Sequence, residues 1–262
     1  MKYKNLKVNR DGAIAIVTFN RPDKANALNY EHLSEIEDVA LSFRDDADTR
    51  VVIFAGAGKH FSSGADLTDP GRAYAGPLVL RRRRSRIGER AISALYDMDQ
   101  ITIAAWNGAA MGGGACVTTA LDFRIGADNC FMQYPEIDIG VNLMWKSLPL
   151  LTHLAGPARA KQLVAGGVRT HAQTLLDWGI LDQLVPLAEL LPAAIELAEF
   201  YAAKPPIAAQ MIKKSVNAIV SMSDQSIMHM DVDQNILSAM TEDRGVAIQS
   251  YLDKTEPTFS GN

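Results

Sequence analysis

Residues 61–67 have the sequence FSSGADL and residues 107–114 have the sequence NGAAMGGG. Each segment follows a short apolar run, VVIF at 51–54 and ITIAAW at 101–106, of the kind typical of buried strands. Glycine allows close backbone approach, and a helix beginning near Gly113 would offer N–H groups with partial positive charge. Two such N–H groups that converge on one point would form an oxyanion hole, whereas the glycines at 112–114 taken alone indicate equally well the close packing of a strand against a helix.

The rest of the first half alternates strands with helices. A hairpin is predicted over Leu6–Phe19, because Asp11-Gly12 is a strong turn signal between apolar runs. Asn29 is placed to cap a helix with one apolar face that runs to about Phe43. A further helix is predicted over residues 86–98 and a strand over residues 123–126. Strands that alternate with helices indicate an α/β fold.

The last third of the chain is mostly helical. Pro157 marks one helix start, and Thr170 with Gln173 has the spacing of a capping box. The sequence Lys-Pro-Pro at 204–206 separates one helix from the next. We therefore expect a core at residues 1–200 and a helical C-terminal region at residues 201–262.

The composition excludes several classes of protein. The net charge of −4 provides no general attraction to nucleic acid. Two cysteines in 262 residues do not make a disulfide framework, so a reducing compartment is expected. No apolar run is long enough to span a membrane, and the N-terminus has no signal-peptide pattern. We expect a cytoplasmic protein that binds neither membrane nor nucleic acid.

The combination and order of the motifs resemble the crotonase superfamily, the enoyl-CoA hydratase/isomerase family. The two glycine segments lie between NRPxxxNALN at 20–29 and YPEIDIG at 134–140, and the resemblance covers nearly the whole chain. It implies a crotonase-like ββα spiral with a C-terminal helical trimerisation region. It also implies an acyl-CoA substrate, a homotrimer or homohexamer, and no metal or cofactor other than the coenzyme A of the substrate.

The same resemblance assigns roles to individual residues. The N–H groups of Ala65 and Gly113 would bind the thioester carbonyl oxygen, and Glu136 would be the acid/base. The residues expected along the substrate are Lys24, Ala25, Asn26, Ala27, Ala65, Asp66, Leu67, Gly112, Cys116 and Met144. Without the resemblance, Glu136 after Pro135 could equally be a turn carboxylate.

One position bears on which reaction is catalysed. Hydratases of this family generally use two glutamates, and Cys116 stands where the first is expected. A site with the later carboxylate alone resembles the simple enoyl-CoA isomerases, whereas the aspartate of dienoyl-CoA isomerases is replaced by Met144. The expectation is an isomerase-like enzyme. The alternatives are an atypical hydratase, an acyl-CoA thioester hydrolase or lyase, and a non-catalytic acyl-CoA-binding homologue.

Two further segments have open interpretations. The sequence VNLMWK at 141–146 is bulkier than the glycine-rich sequence common after this motif, and could reshape or block the acyl pocket. The arginines at 81–84 and Arg86 form either a solvated face or a site for the phosphates of coenzyme A. Cys116 has no histidine close in sequence to activate it, so a small buried filler is expected.

Overall fold

The computed structural model describes residues 3–69 and 76–262, which form nine strands and twelve α-helices. The strands are β1 (Leu6–Asp11), β2 (Ile14–Phe19), β3 (Val51–Gly56), β4 (Ile101–Trp106), β5 (Ala109–Met111), β6 (Phe123–Ala127), β7 (Phe131–Gln133), β8 (Thr170–His171) and β9 (Gln183–Val185). The helices are α1 (Tyr30–Ser42), α2 (Leu78–Ser85), α3 (Ile87–Tyr96), α4 (Gly113–Ala120), α5 (Ser147–Ala155), α6 (Pro157–Val164), α7 (Ala172–Asp177), α8 (Leu190–Ala202), α9 (Pro206–Val220), α10 (Gln225–Met228), α11 (Asp231–Ser238) and α12 (Glu242–Asp253).

Two sheets organise these elements. The larger has the order β1-β2-β3-β4-β6-β9, in which β1 and β2 form the antiparallel hairpin predicted from the sequence and every other pairing is parallel. The smaller has the order β5-β7-β8. Strand β4 belongs to the large sheet and β5 to the small one, so residues 107–108 between them carry the chain from one sheet to the other.

The large sheet is covered on both faces. In β3, Val52 and Phe54 pack with α1, α3 and α4, whereas Val51 and Ile53 pack with α8 on the opposite face. A parallel strand buried on both faces requires an uninterrupted apolar run, which the sequence of β3 supplies. The predicted α/β fold class is confirmed.

Several local predictions are confirmed and one is wrong. Asn29 caps α1, and its Oδ1 accepts a hydrogen bond from His32 N at 2.8 Å. The capping box at Thr170 does not form, because Thr170 lies in β8 and pairs with Met132 of β7. The helix predicted over residues 86–98 is α3, but a second helix, α2, precedes it and carries the arginine run.

Helix α9 docks on the body through a buried cation. Lys213 Nζ lies 2.7 Å from both the Asp122 carboxylate and the Gln100 carbonyl oxygen. The apolar side chains of the same helix point away from the body, and Ile207 and Ile219 are 72% and 74% exposed. None of the helices within the described residues is long and apolar enough to cross a membrane.

Helix α11 holds the loop at residues 141–146 with a row of polar side chains. Asn142 N donates to Ser238 Oγ, and Asn235 donates to the Asn142 carbonyl oxygen. Asp231 accepts a hydrogen bond of 2.6 Å from Lys146 N. The conformation of this loop therefore depends on a helix that lies far from it in sequence.

Asp231 is almost fully buried in this contact. Its pKa is raised from 3.8 to about 6. Burial is the main cause, the hydrogen bond from the Lys146 amide lowers the pKa, and the charge of Glu89 raises it. The folded state therefore holds a proton that the unfolded chain loses above pH 4, so this residue's contribution to stability falls as pH rises from about 4 to about 6.

We predict that Asp231→Asn is more stable than the wild type at pH 8, by about 1–3 kcal/mol, because Asn accepts the same amide without a buried charge. The gain should disappear below pH 4, where Asp231 is protonated in both states. Urea unfolding of both proteins between pH 4 and pH 8 measures this gain in the free energy of unfolding. The control is Asp233→Asn on the same helix, whose pKa is lowered by Arg82 and which should bring no gain at pH 8. Equal behaviour of the two variants would contradict the prediction.

Candidate active site

The two glycine-containing strand exits are in direct backbone contact. Gly64 has a φ of 88°, and a Cβ atom at this position would overlap the Met111 carbonyl oxygen and lie 3.2 Å from Gly113 N. Only glycine fits this conformation and this spacing. The structure thus brings the segment that carries Ala65 against the start of α4, as the sequence predicts for the two segments.

The Ala65 and Gly113 amides are left out of the surrounding hydrogen bonding. Leu28 N donates to Gly64 O, and Asp66 N donates to Leu28 O. These two hydrogen bonds lie on either side of Ala65 and do not use Ala65 N. Gly113 is the first residue of α4, and its N–H has no acceptor within the helix. Within the described residues neither amide donates a hydrogen bond.

Glu136 lies beside this pair of amides. It precedes a short 3-10 turn at Ile137–Ile139, and its carboxyl group faces the backbone of Gly112. A Cβ atom at Gly112 would lie 2.5 Å from Glu136 Oε1. The glycine before the helix therefore makes room for the carboxylate, and Glu136 and Gly113 belong to one site.

Cys116 lies one turn into α4 and is fully buried. Burial, and after it the charge of Glu136, raises the pKa of the Cys116 thiol well above its ordinary value. The thiol is therefore neutral, and its Sγ lies 4.0 Å from the Met144 carbonyl oxygen. Neither a second carboxylate nor a thiolate stands at this position.

The indole of Trp145 fills the space between the first turns of α3 and α4. A Cβ atom at Gly88 would overlap the indole, and one at Gly113 would overlap it from the other side, with Trp145 Cη2 at 2.6 Å. The side chain is 9% exposed. Both Trp145 and Lys146 have positive φ, at 69° and 57°, which costs about 1–3 kcal/mol for each bulky residue and persists only where the surroundings hold it.

The segment at residues 24–27 lies against the FSSGADL segment. Asn26 is buried, and its Nδ2 donates to the carbonyl oxygens of Ala57 and His60 at 2.9 and 2.7 Å. Its Oδ1 accepts from Arg21 N at 2.8 Å. Ser63 N donates to the Ala25 carbonyl oxygen at 2.9 Å, which ties the two loops together.

The other residues expected along the substrate divide by exposure. Asp66 is paired with Arg21 at 2.9 Å and is buried, so its side chain serves the framework. Lys24 and Leu67 are exposed, and Leu67 is 64% accessible. Ala27 is half-buried beside them. Gly112 and Cys116 are buried, and Met144 is half-buried.

The arginine run is largely engaged in contacts with the protein. Arg82 forms a two-pronged pair with Asp233 of α11, with distances of 2.5 and 2.9 Å. Arg86 pairs with Glu89, and the Arg84 guanidinium lies 4.7 Å from the centre of the Tyr30 ring. The Arg82 and Arg84 contacts fasten α2 to α11 and α1, whereas the Arg86–Glu89 pair lies within the first turn of α3.

Two features of the site were not assigned from the sequence: the insertion of the Trp145 indole and the support that α11 gives to its loop. Polar residues at positions 231, 234, 235 and 238 have helical spacing, which was the available signal. The sequence alone does not say which loop such a row contacts.

We predict that Asn26→Ala lowers the free energy of unfolding by about 2–4 kcal/mol, because it leaves three backbone groups without their partner. Urea unfolding measures the loss. The control is Asn9→Ala on β1, where the side chain is exposed and the expected change is within about 0.5 kcal/mol. A loss at Asn26 no larger than that of the control would show that these three hydrogen bonds do not stabilise the fold.

Known proteins match this chain over most of its length. The family model described as enoyl-CoA hydratase/isomerase matches residues 9–262. The chain is 29% identical to a crotonyl-CoA hydratase of Syntrophomonas wolfei over 260 residues, which is 99% of both proteins. It is 35% identical to a carnitinyl-CoA dehydratase of Escherichia coli K12 over 212 residues, which is 80% of this chain and 79% of the relative.

Solved structures show the same fold. An enoyl-CoA hydratase from Bacillus anthracis superposes with a TM-score of 0.77 at 29% identity, covering 99% of this chain and 100% of that one. An enoyl-CoA hydratase from Mycobacterium avium subsp. paratuberculosis superposes with a TM-score of 0.87 at 22% identity, covering 99% and 100%. The family match over almost the whole chain, with the site motifs in place, shows that this protein belongs to the enoyl-CoA hydratase/isomerase family of the crotonase superfamily.

Proposed function

We propose that this protein is an enzyme that stabilises the enolate of an acyl-CoA thioester. The Ala65 and Gly113 amides donate to the thioester oxygen, and removal of one such donor from an oxyanion hole typically costs about 3–4 kcal/mol. The contact between Gly64 and Gly113 and the lack of other acceptors for these amides support this role. The chemistry requires no cofactor beyond the coenzyme A of the substrate.

The position of the Glu136 carboxylate is the observation that carries the proposed reaction. The carboxylate faces Gly112, next to the amide that would hold the oxygen, and can reach a proton on the carbon beside the carbonyl. A single base that removes a proton from C2 and returns it at C4 moves a double bond. We therefore favour an isomerase-like reaction on an enoyl-CoA.

Hydration is the second candidate, and the relatives named as hydratase and dehydratase favour it. Against it, water addition in this family generally uses a second carboxylate, and the buried neutral thiol of Cys116 cannot act as one. Assays with a 2-enoyl-CoA and a 3-enoyl-CoA distinguish the two reactions. Tight binding of both enoyl-CoA esters without turnover of either would instead indicate a non-catalytic homologue. Release of free coenzyme A would indicate a thioester hydrolase, and a shortened acyl-CoA would indicate a carbon–carbon lyase.

We also propose that the chain assembles into homotrimers or homohexamers. The C-terminal helices expose several large apolar side chains, including Ile207, Met211, Ile219, Leu237 and Met240. Exposed apolar surface of this extent is typical of a protein interface. The polar docking of α9 through Lys213 leaves this surface available to a partner.

We predict that Glu136→Gln slows the conversion of 3-butenoyl-CoA to crotonyl-CoA by about 10²–10⁴-fold, because the amide cannot carry the proton. Absorbance of the conjugated thioester follows the reaction. The matched control is Asp138→Asn, an exposed carboxylate in the adjacent 3-10 turn, which should stay within about threefold of the wild type. Unchanged turnover in Glu136→Gln would remove this residue as the acid/base.

We predict that light scattering at micromolar concentration gives a mass of three or six times 28.5 kDa. A charge at the exposed face of α9, as in Ile219→Glu, should shift the protein towards smaller species because it would be buried without a partner. The control is Leu187→Glu, an exposed apolar residue outside the C-terminal helices. A wild type that is entirely monomeric would overturn the assembly proposal.

A further inference from the structure

The space beside Gly113 decides how long an acyl group the site can accept. If the thioester oxygen lies at Gly113 N and the adjacent carbon lies near Glu136, the rest of the acyl chain must pass the face of Gly113 where a side chain would stand. That face has no side chain of its own, and the six-membered ring of Trp145 lies directly on it. We infer that Trp145 is a specificity-determining residue that restricts the substrate to short acyl groups, those ending at or just beyond the reacting carbons. This inference rests on the proposed function.

The indole closes the gap between two helices. On its other side the indole lies on Gly88 in the first turn of α3, so that neither Gly88 nor Gly113 has room for even a methyl group. The neighbouring Leu143 is buried in the main core, and Met144 packs against that core. An acyl chain that continued between α3 and α4 would therefore have to displace the indole.

The loop that carries the indole is held by three contacts from two helices. Asp231 of α11 accepts from Lys146 N at 2.6 Å, which supports the positive φ of the residue next to Trp145. The Lys146 side chain donates to Ser93 of α3 at 3.1 Å and lies 3.4 Å from Glu89. These contacts join the loop to both α3 and α11, so the indole is a fixed wall.

The test compares the affinities of butyryl-CoA and octanoyl-CoA by titration calorimetry. Both are saturated, so binding is measured without turnover. The wild type should bind octanoyl-CoA no more tightly than butyryl-CoA. In Trp145→Ala the octanoyl affinity should rise by about tenfold or more, since each methylene that becomes buried contributes about fourfold. The butyryl affinity should change by less than about threefold.

The control is Trp178→Ala, which removes a half-buried indole at the end of α7 that stacks with Arg159 at 5.3 Å. It should leave the ratio of the two affinities unchanged. The double variant Gly88→Ala/Trp145→Ala places a methyl group in the vacated gap and should reduce the octanoyl gain. A gain that is the same with and without the Gly88 substitution would show that the longer chain does not use this gap, and would overturn the inference.

The remaining outcomes separate the inference from the proposed function. A wild type that binds both esters, with octanoyl-CoA favoured, overturns the role of Trp145 and leaves the function intact. A wild type that binds neither ester overturns the proposed function and this inference with it. If Trp145→Ala fails to fold, Trp145→Phe decides: a smaller octanoyl gain supports the inference, and no gain overturns it.

Discussion

The site depends on one backbone contact, that of Gly64 with the chain at residues 111–113. Without a side chain between them, two strand exits from different sheets come within van der Waals distance. This contact fixes where Ala65 and Gly113 present their amides, and it fixes the start of α4. An amide held without a partner in a buried site costs about 1–3 kcal/mol, so the surrounding fold must hold it in place. The hydrogen bonds of Asn26 to Ala57 and His60 hold the loop before Gly64, and the pairing of β3 with β4 holds the strands from which the two segments continue.

The parts of the fold that were predictable are those specified by adjacent residues. The Asp11-Gly12 turn predicted the first hairpin, and Asn29 predicted the start of α1. The apolar run of β3 predicted a buried strand, and the structure buries it on both faces. Local signals failed where a distant partner decided the outcome. Thr170 had the pattern of a helix cap, but pairing with β7 placed it in a strand.

The same division applies to the site. Gly112, Gly113 and Glu136 lie within motifs, and the structure brings them together. The neutral, buried state of Cys116 also agrees with the sequence-based expectation of a filler. The position of Trp145 could not be derived, because it depends on Gly88 from a preceding helix and on Asp231 from a helix 85 residues further on. Neither contact has a signature in the sequence around residue 145.

Trp145, which would shape the pocket, lies in the loop at residues 141–146, whereas residues that hold this loop in position lie in α11. Asp231, Asn235 and Ser238 form hydrogen bonds with the backbone of the loop at Lys146 and Asn142. Mutations in α11 are therefore a route by which a lineage of such proteins could acquire a new substrate range while its catalytic motifs stay unchanged. Relatives with identical motifs and different C-terminal helices would then differ in substrate preference, and motif comparison alone would assign them the same one.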